Sequence, residues 1–275
     1  FPDYRDYYID KPDVEPLFKE SGIINTDESV TDRKKDLRRW CSPIEDQGLL
    51  GSCTAHAGVA LIEYYERKAF NKYIDASRLF LYKVTRNLLH WRGDTGAFLR
   101  TTMGAMRLFG VPPEEYWPYN PNNFDEEPPA FCYAFAQNYQ AIKYVRLDQP
   151  TTSLNNLLAK IKLCINAGFP PMFGFTVFAD AITQSNNGLI PLPHDKDRAR
   201  GGHAVVAVGY DDSKIIRNSV GYESRGALLI RNSWGERWGE KGYGWLPYDY
   251  ILKGLTKDWW ILVKKEWIDT GAFKL

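Results

Sequence analysis

A thiol stands at an unusual place in the run DQGLLGSCTAHAG, residues 46–58: glycines and a serine precede Cys53, and an alanine-rich stretch follows it. Sulfur attacks a carbonyl as thiolate, and a helix N-terminus favours that anion through its free N–H groups and the positive end of its dipole. An imidazole must then take the proton and later return it to the leaving amine. The chain has four histidines. His56 shares the helix of Cys53 and points away from it, as a hydrogen-bonded structural residue would. His90 closes a helix, where a cation complements the dipole, and His194 lies in the charged loop HDKDRARGG, where solvation is expected. His203 opens the apolar strand GGHAVVAVGY behind two glycines that let another chain approach closely, and is the expected partner of Cys53.

The elements that must bring residues 53 and 203 together are legible in outline. Cys53, Ala57, Ala60, Leu61 and Tyr64 fall on one helical stripe, with Gly51–Ser52 as turn and cap. Helices are also predicted from Ser77 and from Phe98, the latter stopped by Gly110 and Pro112–Pro113, and a further one carries Leu154, Leu157, Leu158, Ile161 and Ile165 on one face. The proline-rich WPYNPNNFDEEPPAF is a loop and the expected lobe boundary. Beyond it AIKYVRL, PMFGFTVF, HAVVAVGY, ALLIRNSW, YGWLPY and DWWILVKK read as strands. Helical first and β-rich second, the chain is expected to be α+β with segregated lobes, a helical one at about 45–140 and a β-rich one at about 141–262.

Composition narrows the function classes. With 275 residues, 44% hydrophobic, 25% charged and a net charge of +1, the chain has room for a large core and no electrostatic bias toward nucleic acid. No apolar run reaches the roughly 18 residues of a membrane span, so no membrane partner is expected, and the start FPDYRDYYID lacks the form of an export signal. Cys41, Cys53, Cys132 and Cys164 form no CxxC pair, so neither structural zinc nor any other metal or cofactor is expected. If one cysteine stays free, the other three can form at most one disulfide. GxSxG, HExxH and a phosphate-binding loop are all missing. The pairs Asp211–Asp212 and Glu126–Glu127 fall in apparent turns and are expected to be solvated.

Three stretches, DQGLLGSC, GGHAVVAVGY and RNSWGERWGEKGYG, together resemble the papain-like cysteine peptidases over roughly residues 37–262; SRLF, GVPPEEYWPY and GWLPYDYI resemble the bacterial branch of that family. The resemblance implies a two-lobed papain-like fold, helical N-terminal lobe against an antiparallel β-barrel-like C-terminal lobe, with the cleft between them. It implies Cys53 as nucleophile, His203 as base and acid, Asn232 as the side chain orienting the imidazole, and Gln47 as an oxyanion-hole donor beside the N–H of Cys53. Trp234 would shield the Asn–His bond. Gly96, Ala97 and Gly202 would line the substrate path, Gly96–Ala97 by strand addition. Gly174 and Ala204 would wall a second specificity pocket roomy enough for a bulky apolar residue. The implied activity is peptide-bond hydrolysis through a thioester, with a silent binding scaffold or acyl transfer to an amine as the rival readings.

Departures from the family pattern are informative. Leu50 stands where the family has a disulfide cysteine, and the partner run CNGG aligns with DTGA, Asp94–Ala97, so both ends of that disulfide are missing together. The polar stretch DDSKIIRNSVGYESRGA lengthens the interval between His203 and Asn232 and is expected to be a hairpin extension. Residues 1–36 form a separate arm ahead of a peptidase domain at 37–275, shorter than the family's pro-region. The arm is expected to be zymogen-like and to pack near the cleft, with DRKKDLRR as an exposed linker. The loop QSNNGLIPLPHDKDRARGG could narrow the cleft through Lys196, Arg198 or Arg200 at a substrate carboxylate, or simply be solvated. A monomer is expected, secreted or periplasmic in a bacterial, non-glycosylating source.

Overall fold

The computed structural model describes residues 8, 12, 14–20, 32–139, 143–179 and 187–273. Helix α1 (Glu15–Glu20) and strand β1 (Lys34–Asp36) precede helices α2 (Cys53–Phe70), α3 (Arg78–Leu88), α4 (Leu99–Phe109) and α5 (Ala130–Ala136). Strand β2 (Lys143–Arg146) and helix α6 (Leu154–Asn166) lead into β3 (Met172–Phe178), β4 (Ala199–Arg217), β5 (Glu223–Arg231) and β6 (Tyr243–Pro247). Helix α7 (Tyr248–Leu252), strand β7 (Thr256–Val263) and helix α8 (Lys265–Asp269) follow. Helix ends obey the expected chemistry. Ser77 and Ser153 accept backbone N–H bonds from Phe80 and Asn156 at the starts of α3 and α6, and Gly110 ends α4 at φ 76.

Helix α2 departs from the one-stripe expectation: every residue from Thr54 to Tyr65 is buried. Helices α3 and α4 cover one side and β4 the other, so the whole circumference faces protein. Small residues make this possible. A Cβ on Gly58 would lie 3.2 Å from atoms of Leu81, Met106 and Thr102, so the helices meet there at backbone distance.

The strands run in the order β2-β7-β3-β4-β5-β6, all neighbours antiparallel. Register shifts at Val177/Phe178, Ala207/Gly209 and Asp211/Ile215 bend the long strands and curl the sheet into a half-barrel. The lengthened β4–β5 hairpin is present: β4 runs to Arg217 and β5 begins at Glu223, and Asn218 Oδ1 accepts the N–H groups of Val220 and Tyr222 between them.

The termini cross the boundaries read from sequence. The charged run expected as a linker supplies β1, which pairs Lys34–Asp36 with Asp211–Gly209 of β4, and Leu37 is buried behind it. Beyond Val206, β3 no longer pairs with β4, and β1 covers the donors and acceptors that would otherwise form an open edge. Asp211 is accordingly 8% exposed and pairs with Lys34 at 3.2 Å, while Asp212 meets Lys162 at 2.8 Å; neither is the solvated turn residue expected.

At the opposite end of the chain α8 returns to the helical side, where Trp267 stacks on Tyr65 of α2 at 4.5 Å. Helix α1 docks in the same region through buried Val14 and Phe18, the latter 6.4 Å from the Phe169 ring. Tyr65 lies a dozen residues from Cys53, roughly 18 Å along the helix at about 1.5 Å per residue. The α1 segment therefore sits at the far end of α2 from the thiol. Residues 1–7 and 21–31, on which a covering role would fall, lie outside the described residues.

One buried cation organises the helical lobe next to the cleft. Arg86, with no exposed side chain, donates to Gly93 O at 2.6 Å, to Asp125 Oδ1 at 2.7 Å and to Phe124 O, and lies over the Tyr82 ring at 4.2 Å. Arg86→Met would leave the half-buried Gly93 and Phe124 carbonyls and the Asp125 carboxylate without this donor. The expected loss is about 1–3 kcal/mol of stability, read as a shift in the urea midpoint at unchanged slope.

Candidate active site

Cys53 is the first residue of α2, and Ser52 fills the N-cap position without capping by its side chain. The Ser52 hydroxyl turns instead toward His56 Nδ1 at 3.2 Å and Tyr119 Oη at 2.7 Å. Since Tyr119 donates to Gln47 O at 2.9 Å, its oxygen is free to accept from Ser52. His56 Nδ1 then donates to the Ser52 carbonyl at 3.1 Å, the structural role expected of it. His194 differs from expectation: it pairs with Asp197 at 3.3 Å and is about four-fifths covered, with 21% side-chain exposure.

His203 lies on β4 opposite Phe175 of β3, and Asn232 directly follows β5, so two neighbouring strands set the distance between them. His203 Nε2 lies 2.7 Å from Asn232 Oδ1, and the same oxygen accepts the Ser233 N–H at 2.8 Å. An oxygen already accepting identifies Nε2 as the protonated nitrogen, which leaves Nδ1 as the acceptor in a neutral ring. Trp234 stacks on the imidazole at 4.6 Å and 27°, and Trp238 stands edge-on to Trp234 at 5.4 Å. Trp234 covers one face of the imidazole, and His203 and Asn232 are both buried.

Gln47 is 7% exposed and held at both ends of its amide. Nε2 donates to Leu50 O at 2.9 Å, and Oε1 accepts from the Ser233 hydroxyl at 2.7 Å. Only one Nε2 hydrogen is used there, so the second remains for a ligand. Ser233 and Tyr119 hold the Gln47 amide and backbone, and the residue pattern did not single them out: the serine directly follows Asn232, and the tyrosine lies in a stretch read as loop.

Cys53, His203, Ala97, Gly174, Gly202 and Ala204 all line one cavity of about 300 Å³ between the lobes. Gly96 and Trp234 stand outside this lining. The Gly96 N–H is already bonded to Tyr82 Oη at 3.1 Å, and its carbonyl accepts from Thr95 at 3.2 Å. The Gly96 N–H is therefore taken, whereas Ala97 makes no backbone hydrogen bond among the described residues. Lys196, Arg198 and Arg200 are not part of the cavity wall. Their loop, as far as it is described, packs on the sheet through buried Ile190 and Leu192.

Burial dominates the electrostatics. It pushes the Cys53 thiol up, against the pull of backbone N–H groups of Ala204 and Thr54, and pushes His203 down to about 4 against the Asn232 bond. The N–H groups of the helix start thus act in the expected direction, against a larger opposing effect of burial.

Cys41, Cys132 and Cys164 are free and buried, so no disulfide forms among the cysteines. Burial raises Cys164 to about 12. Iodoacetamide is therefore expected to modify Cys53 alone in the folded protein and four thiols in urea, with one melting temperature in the presence and absence of reductant. Mass spectrometry and a melting curve check both.

Two histidines and one acid make stability depend on pH. Burial holds His56 down to about 3 and His203 to about 4, so below about 6.5 the unfolded chain binds protons that the folded one refuses. Stability from this source is present above that value and falls as pH drops toward 4. Buried Glu63, raised to about 7 by desolvation, works the other way: its contribution is present at low pH and lost as pH rises toward 7. His56→Phe is expected to flatten the acid slope between pH 6.5 and 4 by about 1 kcal/mol per pH unit, read from urea midpoints.

Fold, cleft and these contacts define a cysteine protease architecture, and comparison with known proteins agrees. The papain family cysteine protease profile matches residues 27–254. The chain is similar in structure to xylellain, a cysteine protease from Xylella fastidiosa, with TM-score 0.74, 32% identity, and 96% of this chain and 93% of that one covered. In sequence it is 34% identical over 274 residues to an uncharacterised peptidase C1-like protein of Acanthamoeba polyphaga mimivirus, covering 95% of this chain and 84% of that one. Chymopapain of Carica papaya is 25% identical over 82% of this chain, which spans 56% of that relative's length. The chain belongs to the papain family of cysteine proteases.

Proposed function

We propose that this chain cleaves peptides through a thioester formed on Cys53, with His203 as the proton carrier. The observation that supports this most directly is the ordered imidazole: Nε2 is tied to Asn232 at 2.7 Å under Trp234, so Nδ1 is the nitrogen left for the thiol. In acylation Sγ loses its proton to Nδ1 and attacks the carbonyl carbon. The oxyanion takes hydrogen bonds from the spare Nε2 hydrogen of Gln47 and the N–H of Cys53. The C–N bond then breaks as Nδ1 returns its proton to the amine. In deacylation a water gives a proton to the same nitrogen and adds to the thioester carbon; the C–S bond then breaks, the acid leaves, and Nδ1 returns the proton to Sγ.

Substrate selection is proposed to centre on Gly174 and Ala204, which pair across β3 and β4 and so face the cavity together. A Cβ built on Gly174 would lie 3.4 Å from Leu99 Cδ1, so any longer side chain must enter the cavity. The space favours a bulky apolar residue. Gly174→Val is expected to lower kcat/KM for peptides with phenylalanine or leucine at this pocket by about 10- to 100-fold while sparing alanine. A peptide library compared between the two proteins measures it. Mass analysis of products formed with an added amine separates hydrolysis from acyl transfer: a dominant aminolysis product would overturn the hydrolytic reading. A bacterial source is likewise a proposal, supported by the likeness to xylellain.

A further inference from the structure

A carboxylate outside the catalytic set ties the two segments that flank the substrate path. Asp94 Oδ1 accepts the Gly51 N–H at 2.9 Å, with Oδ2 at 3.2 Å, and Oδ1 also accepts the Tyr82 hydroxyl at 2.6 Å. The same hydroxyl oxygen accepts the Gly96 N–H at 3.1 Å. A chain of three bonds thus runs from the turn before Cys53, through Asp94 and the buried Tyr82, to the residue before Ala97. The segments touch at backbone distance. A Cβ on Gly51 would lie 2.9 Å from Asp94 Oδ1 and 3.3 Å from the Gly96 nitrogen, which is why residue 51 carries no side chain.

The cleft-wall segment depends on such anchors. Gly93 donates to Asp125 at 3.1 Å and accepts from Arg86 at 2.6 Å at one end, and α4 holds Leu99 at the other. Between them the Gly96 N–H–Tyr82–Asp94 chain is the link toward the thiol. Leu50 and Asp94 are also the positions at which the family resemblance implies a missing disulfide, so the carboxylate spans an interval that no covalent bond spans here.

We propose that Asp94 is a positioning residue, which sets the distance between the Ala97 backbone and Cys53 so that a peptide bound along Ala97 presents its carbonyl to Sγ. The proposal rests on Cys53 being the nucleophile. It predicts that losing Asp94 harms peptide binding far more than thiol reactivity.

The test uses the full chain with Asp94→Ala, Asp94→Asn and Tyr82→Phe. Fluorogenic peptides long enough to reach Ala97 report KM and kcat, and iodoacetamide, which needs no cleft wall, reports the reactivity of Cys53. Asp94→Ala is expected to raise KM by about tenfold or more, the scale of a lost charge-assisted hydrogen bond, with alkylation within about twofold of the parent. Asp94→Asn keeps an oxygen that accepts from Gly51 and Tyr82, and is expected to recover most of the loss. Tyr82→Phe, which severs only the link to Gly96, is expected to fall between them. Unchanged KM in Asp94→Ala, or Asn as damaging as Ala, would overturn the proposal, as would alkylation and hydrolysis declining in parallel in all three variants. If the parent cleaves peptides but is not alkylated at Cys53, the nucleophile assignment itself fails, and that result is distinct from the others.

Discussion

Cys53→Ala is expected to lower peptide hydrolysis by about 10⁵- to 10⁶-fold, the scale seen when the nucleophile of a serine protease triad is removed. The size follows from covalent chemistry. Without Sγ there is no thioester, and a water in its place would have to attack the amide with a base, His203, that burial holds down to about 4. Binding should survive, because Ala97, Gly174 and Ala204 are untouched. Titration calorimetry with an uncleaved peptide should therefore show a Kd near that of the parent, whereas labelling by a thiol-directed epoxide should vanish. Retained hydrolysis would overturn the nucleophile assignment, and lost binding would show that the substitution had damaged the cleft. Folding itself is not expected to suffer. The substitution removes a partly exposed sulfur at the start of a helix whose burial begins at Thr54.

The second large effect is at Gln47. Gln47→Ala is expected to reduce kcat about 10²- to 10³-fold with a small change in KM, since the bond it would supply forms fully only as negative charge develops on oxygen. The amide is already aimed. Ser233 holds Oε1 at 2.7 Å and Leu50 takes one Nε2 hydrogen at 2.9 Å, so little reorganisation remains at the moment of reaction. Gln47→Glu is a sharper test, because it replaces the Nε2 donor with an acceptor facing the Leu50 carbonyl; it is expected to be at least as damaging as alanine. Rates measured under single-turnover conditions, with substrate affinity taken separately, distinguish loss of transition-state stabilisation from loss of binding. A kcat within threefold of the parent in both variants would remove Gln47 from the oxyanion hole.

Both expectations depend on a contact between distant segments. Gln47 N–H bonds to Ser233 O at 2.9 Å, Gly235 N–H to Glu45 O at 3.1 Å, and Arg231 donates to Pro43 O at 2.6 Å. This seam joins the turn before α2 to the strand end after β5, and brings Cys53 and Gln47 toward His203. Nothing local in either stretch encodes it. What could be read locally was the need at each end: a thiol at a helix start, a histidine at a strand start, glycines where chains approach.

The sequence alone determined the element types, the helical-then-β order, and the candidate reactive residues, because these depend on short-range periodicity, glycine and proline punctuation, and three motifs whose combination resembles one family. Tertiary structure decided the rest. It assigned the charged run at Lys34–Asp36 to an edge of β4, sent α1 and α8 to the far end of α2, tied the Gly96 N–H to Tyr82 while leaving the Ala97 backbone unbonded, and put Asp94 between Gly51 and Tyr82. It also set the desolvation of Cys53 against the helix start that favours its anion. In each case the deciding quantity is long-range: which strand edge is left uncovered, how deeply a group is desolvated, or which backbone donor is already taken. Those quantities belong to the packed chain and have no signature in the residues that carry the chemistry.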